Sequence, residues 1–167
     1  MRSRILLRPP VAADAREFVA AARVSKALHG AWVAAPATPE LFRAWRKRIE
    51  QPTNCTLLAC VRDTGDIAGV FSISNMVRGP FRSAFLGYSA FAGFEGQGLM
   101  TEGLRAVVRH AFKLLNLHRL EANIQPDNAA SIALVQACGF SLEGYSPRYL
   151  KIAGRWRDHE RWAIVAS

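Results

Sequence analysis

The chain has 167 residues, 50% of them apolar and 21% charged, which is ample material for one buried core of ordinary domain size. Its longest apolar runs, such as 57–61, fall far short of the roughly 18 to 20 residues of a membrane span, and Ile5, Leu6 and Leu7 are too short a run for a secretory signal. Twenty-two Lys and Arg against 13 Asp and Glu give a net charge of +9, which draws polyanions, but the arginines are scattered and the aromatics do not interleave with them, so direct nucleic-acid binding is disfavoured. Cys55, Cys60 and Cys138 are odd in number and lack metal-site spacing, so buried free thiols are expected in place of disulfides or zinc. The expectation is a single cytoplasmic domain, 1–167, with no metal.

The elements follow in chain order. Residues 5–8 read as a short strand stopped by Pro9 and Pro10, and 12–24 as an Ala-rich helix. Thr38 before Pro39 is an N-cap with proline at the first helical position, opening a helix that places Leu41, Phe42, Trp45 and Ile49 on one face. Two β-rich runs, 56–61 and 67–73, flank an Asp/Gly turn and predict a hairpin. Residues 84–91 are a further strand, leading through a glycine-bearing loop into a long amphipathic helix with Met100, Leu104, Val107, Val108, Ala111 and Leu115 at helical period. A strand at 119–124, a helix at 128–138 closed by Gly139, and two alternating strands about Ala153 and Gly154 complete the chain. Crossovers mixed with hairpins predict an α/β fold: a mixed, mainly antiparallel central sheet of about six to seven strands flanked by about four helices.

The chemistry concentrates at Phe94-Glu95-Gly96-Gln97-Gly98-Leu99-Met100-Thr101-Glu102, between a strand and a helix. Glycines allow close backbone approach, and the free N–H groups of a helix N-terminus attract an anion, so a phosphate-bearing ligand fits. Such a turn is equally compatible with a purely structural role, and it carries neither the Gly-Lys-Ser/Thr of a P-loop nor the spacing of a dinucleotide fingerprint.

Taken together, Leu86-Gly87-Tyr88, Gly96-Gln97-Gly98, Met100-Thr101-Glu102, His118-Arg119-Leu120-Glu121, Asp127-Asn128-Ala129-Ala130-Ser131, Gly139-Phe140 and Arg155-Trp156-Arg157-Asp158-His159 resemble the GNAT superfamily of N-acetyltransferases. The resemblance is to its Rim-type branch, which acetylates the N-termini of ribosomal proteins. It implies acetyl-CoA as co-substrate, bound by Ser89, Ala90, Phe91, Gly96, Gln97, Gly98, Leu99, Met100, Thr101, Asn128 and Ser131. It also implies an Ala90 backbone amide that polarises the thioester and a Ser131 hydroxyl that meets the departing thiolate. Trp32 falls in a segment that overhangs the acceptor in such enzymes. Two positions depart from the family's Gln/Arg-x-x-Gly-x-Gly/Ala pattern: Glu95 for the first residue and Met100 for the last, and an acid beside a pyrophosphate is unfavourable unless it faces solvent. Asn128 is also a natural N-cap, and His110, His118 and His159 read as packing or hydrogen-bonding residues.

An α-amine with a pKa of about 8 needs less help to lose its proton than a lysine at about 10.4. Arg148 and Tyr149 stand where Rim-type relatives carry a basic carboxylate, and Glu143 is a weak substitute. This favours an α-amine acceptor attacked in a ternary complex. The expected partners are acetyl-CoA and a protein N-terminus or a small amine, without a membrane, and a homodimer is left open. The alternatives are a polyamine or amino-sugar acetyltransferase and, outside the class, a non-catalytic acyl-CoA- or RNA-binding module.

Overall fold

The computed structural model describes residues 3–167. One seven-stranded sheet is made by β1 (Ile5–Arg8), β2 (Cys55–Val61), β3 (Ile67–Val77), β4 (Ser83–Ala90), β5 (Arg119–Ile124), β6 (Ser141–Ile152) and β7 (Arg155–Val165), in the order β1-β2-β3-β4-β5-β7-β6. All neighbours are antiparallel except β4 and β5. The helices are α1 (Ala15–Val24), α2 (Lys26–His29), α3 (Pro39–Ile49), α4 (Leu99–Lys113) and α5 (Ala129–Ala137). The mixed, mainly antiparallel sheet expected from the sequence is present, with α2 as an additional single turn.

Strand alternation sends side chains to two separate cores. On one face, Phe71, Leu86, Leu120 and Ala122 meet Leu104, Val107 and Ala111 of α4 and Val135 of α5. Gly103 allows α4 to lie close on β3, since a Cβ there would come within 2.7 Å of Phe71 Cε2. On the other face, Leu58, Cys60, Val70 and Phe91 pack against Phe18 and Val19 of α1 and Phe42 and Trp45 of α3. Phe18 centres that second cluster, with ring centroids 5.2 Å from Phe42, 4.8 Å from Trp45 and 5.2 Å from Phe91. Each of these fully enclosed rings contributes about 1.5–3 kcal/mol over exposure.

Local signals explain the boundaries. Thr38 Oγ1 accepts from Leu41 N at 3.2 Å at the start of α3, and Gly139 takes φ +87° just past α5. Leu41, expected on the buried face of α3, is 54% exposed. The helix is held by the two rings one turn apart, Phe42 and Trp45, and Leu41 is rotated about 100° from the first of them. The expectation of buried thiols holds for Cys60, while Cys55 and Cys138 are half-buried.

The feature that positions the site is a splay. β4 and β5 pair only through Ser83–Ala84–Phe85 against Arg119–Leu120–Glu121; beyond that, β4 runs on to Ala90 and β5 to Ile124 without bonding each other.

Candidate active site

The splay leaves backbone groups without sheet partners. Phe91 N–H donates to Ala68 O of the neighbouring segment at 2.8 Å. Antiparallel alternation therefore turns the N–H and C=O of Ala90 away from β3, into the opening toward β5. Ala90 O accepts from His29 Nε2 at 2.7 Å, which leaves the Ala90 N–H as the free donor at that edge. His29 is buried and belongs to α2, and Ser25, also buried, accepts from Ala92 N at 2.8 Å through its Oγ. These two bonds fasten the segment after α1 to the end of β4.

The loop after β4 turns through Gly93, Gly96 and Gly98, all at positive φ, with Gly98 at +75° as the residue before α4. The first intrahelical bond is Glu102 N–H to Gly98 O, so the N–H groups of Leu99, Met100 and Thr101 have no partner within the helix. Arg4 reaches across from β1's leading edge: its Nε donates to Glu102 Oε1 at 2.6 Å and its Nη2 to Gln97 O at 2.9 Å. The Arg4 hydrogen bonds hold the Glu102 carboxyl below the usual carboxylate range and add a cation beside the loop. Glu95 is exposed at the rim of the cleft, and its Oε2 accepts from Gly93 N at 2.6 Å, which braces the turn.

Three cavities run end to end through the splay. The first, about 300 Å³, is lined by Glu95, Gly96, Gly98, Leu99, Met100 and Thr101. The second, about 250 Å³, shares Glu95, Gly96 and Met100 with it and adds His29, Ser89 and Ala90. The third, about 420 Å³, shares Trp32, Tyr88, Ser89, Asn128 and Ser131 with the second and continues to Asn123 and His159. The result is a single cleft that enters by the α4 and α5 face and leaves by the α1 and α3 face.

At its midpoint, Tyr88 Oη donates to Ser131 O at 3.1 Å and lies 2.7 Å from Ser131 Oγ. Burial pushes the Tyr88 phenol up to about 12, against the smaller opposing effect of its bond to Ser131. Asn128 Oδ1 accepts from Ser131 N at 3.2 Å, so the N-cap reading of Asn128 holds while the residue also lines the cleft.

Most residues expected at the site are therefore brought together, with two corrections. Phe91 does not face the cleft: its ring is enclosed with Phe18 and His29, and its N–H is spent on Ala68. Gln97 belongs to the loop but lines none of the three cavities, its amide turning inward to donate to Gly93 O at 2.8 Å. The Leu99 side chain is buried, leaving its backbone for a ligand, and the Met100 thioether packs partly against the core, which absorbs the departure from a small residue there.

Other candidates fall away. Glu143 is forked by Arg119, which holds it below the usual range. Tyr145, the phenol nearest in sequence to Glu143, donates to Asp158 at 2.5 Å and lines a separate cavity. Cys138 lies nearer the loop than its sequence position suggests, its Sγ 3.7 Å from Thr101 O, but burial pushes its thiol up, the wrong direction for a nucleophile. Among the described residues no cluster of His, Cys, Asp and Glu could hold a metal ion, and no helix is long and apolar enough to cross a membrane.

The site thus combines a free strand edge facing a splay with a glycine loop that leads into a helix N-terminus. The profile described as an acetyltransferase (GNAT) domain matches residues 4–141, and the chain belongs to that family. Its relatives include the Rim-type branch. The [ribosomal protein uS5]-alanine N-acetyltransferase of Escherichia coli is 44% identical over 103 residues, 62% of this chain and 53% of that protein. Mycobacterium smegmatis RimJ, solved in complex with CoA-disulfide, superposes with a TM-score of 0.90 at 26% identity, over 97% of this chain and 82% of that one. The ribosomal-protein-S5-alanine acetyltransferase of Vibrio fischeri gives 0.86 at 25% identity, over 99% and 94%. The chain spans about half the length of the curated relatives it matches.

Proposed function

We propose that residues 1–167 act as one domain that transfers the acetyl group of acetyl-CoA to the N-terminal α-amine of a protein, such as a ribosomal protein, by direct attack in a ternary complex. The observation that carries this reading is the continuous cleft. One mouth offers the N–H groups of Leu99, Met100 and Thr101, with Arg4 beside them, to a pyrophosphate. The free edge of β4 at Ser89 and Ala90 suits the amide-bearing pantetheine arm. The thioester then lies where Ala90 N–H can stabilise charge developing on its carbonyl oxygen, and where Ser131 Oγ can donate to the departing sulfur. Tyr88, still protonated at neutral pH, donates to Ser131 O and lies 2.7 Å from Ser131 Oγ, which fixes the position of that hydroxyl in the cleft.

The other mouth bears on the acceptor. The residues lining the third cavity include Arg48 but no carboxylate. A polyamine carries several ammonium groups that require acidic partners once removed from water, whereas a peptide N-terminus brings one. Trp32, 37% exposed, overhangs the passage between the second and third cavities and can cover the first residue of a peptide.

Release of CoA thiol over a panel of amines tests the reading. Peptides beginning with Ala or Ser should exceed N-blocked peptides with an internal lysine by about 10-fold or more at neutral pH, because a far larger fraction of an α-amine is unprotonated. They should likewise exceed spermidine. Equal or faster turnover of the internal lysine or of spermidine would refute the assignment.

A further inference from the structure

The third cavity ends at two polar groups that neither the cofactor nor the thiolate uses. His159, 3% exposed, lines it from β7. Its Nδ1 lies 2.9 Å from Arg157 O, and a carbonyl only accepts, so Nδ1 carries the proton and the neutral ring keeps its lone pair on Nε2. The Tyr149 ring from β6 meets the imidazole at 6.2 Å and 60°, holding its orientation. Asn123 lines the same cavity from β5, and its Oδ1 is enclosed without a hydrogen-bond donor. Asn123 pairs with Arg161, two residues from His159, so strand alternation puts both side chains on the α1 and α3 face of the sheet. Tyr88 and Ser131 lie on the opposite face.

The other titratable and charged groups around His159 are accounted for. Arg48 of α3, Tyr88 of β4 and Tyr149 of β6 face the cavity or the ring, and Arg161, opposite Asn123 and on the same face of β7 as His159, lays its guanidinium against Gly144 of β6 with its buried Nε unpaired. Its chain neighbours point away: Asp158 accepts from Tyr145 and from Arg148 N, and Glu160 accepts from Trp162 Nε1 at 2.9 Å. An enclosed acceptor oxygen and an imidazole lone pair, with no carboxylate in the lining, suit a single ammonium group.

We infer that His159 Nε2 takes the proton that activates the acceptor amine, while Asn123 Oδ1 accepts a second N–H and turns the nitrogen lone pair toward the thioester; this rests on the acetyl-transfer reading above. The ammonium gives one proton to Nε2, and the imidazolium keeps its Nδ1–H on Arg157 O. The neutral nitrogen bonds to the carbonyl carbon, whose π electrons move to the oxygen at Ala90 N–H. An oxygen lone pair then re-forms the C=O bond as the C–S bond breaks with its electron pair going to sulfur. The nitrogen loses a second proton, which balances protonation of the thiolate at Ser131. Net, ammonium and thioester become amide, thiol and one proton, and His159 passes that proton to solvent.

The test compares His159→Gln and Asn123→Leu with the wild type on an Ala-initiated peptide across pH. His159→Gln should lose about 10- to 100-fold in kcat/KM at about pH 7, the range of one general base, and recover to within about 3-fold at about pH 9, where an α-amine of pKa about 8 has shed its proton unaided. Its KM for acetyl-CoA should be unchanged, and Asn123→Leu should raise the KM for peptide by about 10-fold. No loss at neutral pH, or a loss of equal size at both pH values, would overturn the inference while leaving acetyl transfer standing. A wild type that acetylates no amine removes the transfer reading and this one with it. Because His159 is buried, nitrogen NMR of the wild type provides a measurement independent of the variant's folding: adding the peptide with CoA bound should shift the Nε2 resonance, and an unmoved resonance would refute the contact.

Discussion

At the end of the cleft proposed for the cofactor, the groups offered to a ligand are backbone amides from one continuous stretch, β4 through the first turn of α4. At the acceptor end they are side chains drawn from β5, β7, α3 and the segment after α2. The first arrangement depends on conformation, above all on glycines at positive φ, and tolerates almost any side chain that points outward. The second depends on identity, since replacing an imidazole or an amide oxygen removes the function of that position. One family can therefore keep its cofactor while its members differ in acceptor.

Three substitutions sharpen that contrast. The largest effect belongs to the backbone end. Gly98→Val puts a β-branched residue at φ +75°, and although the nearest atom to a new Cβ is Arg4 Nη2 at 3.5 Å, strain of about 1–3 kcal/mol would distort the turn. Calorimetry should record a fall in CoA affinity on the order of 100-fold; an unchanged affinity would remove the loop from the binding site. Next is Ser131→Ala, at the junction of the two ends. It should lower kcat on the order of 10-fold with the KM for acetyl-CoA within about 2-fold, because the hydroxyl meets charge only as sulfur departs. The deficit should stay constant from about pH 6 to about pH 9, since the Tyr88 phenol behind it, pushed up to about 12 by burial, keeps its proton throughout. Retention of full kcat would reduce Ser131 to a residue of the helix start. The smallest effect should come from Glu95→Gln. That exposed carboxylate braces Gly93 N at the rim of the cleft, where solvent screens its charge, so removing the charge should tighten CoA by less than about 3-fold, and a large change in either direction would mean that the acid stands unscreened against the phosphates.

The contrast also explains what could be read in advance. The 3.6-residue period of α4, the Thr38-Pro39 cap, the hairpin between β2 and β3 and the Gly139 stop are local patterns, and each formed where its residues pointed. The loop glycines were legible for the same reason. Tyr88 was visible in its motif without a role, because its partner Ser131 lies 43 positions away. His29 and Ala90 are 61 apart, and α2 is too short to display a period. Asn123 and His159 look like ordinary alternating strand residues until β5 and β7 pair, and no motif spacing in the sequence brings them together. Phe91 is the converse case: the family resemblance implies a contact with the cofactor, but the large ring beside two helices is drawn into their core.

The gap between β4 and β5 has a consequence for traffic. A sheet is ordinarily a septum that confines both reactants to one side, where the first occupant obstructs the second. Here the septum is pierced, with a mouth on each face. Under the proposed acetyl transfer, spent thiol and acetylated product can leave in opposite directions, and neither has to queue behind the other.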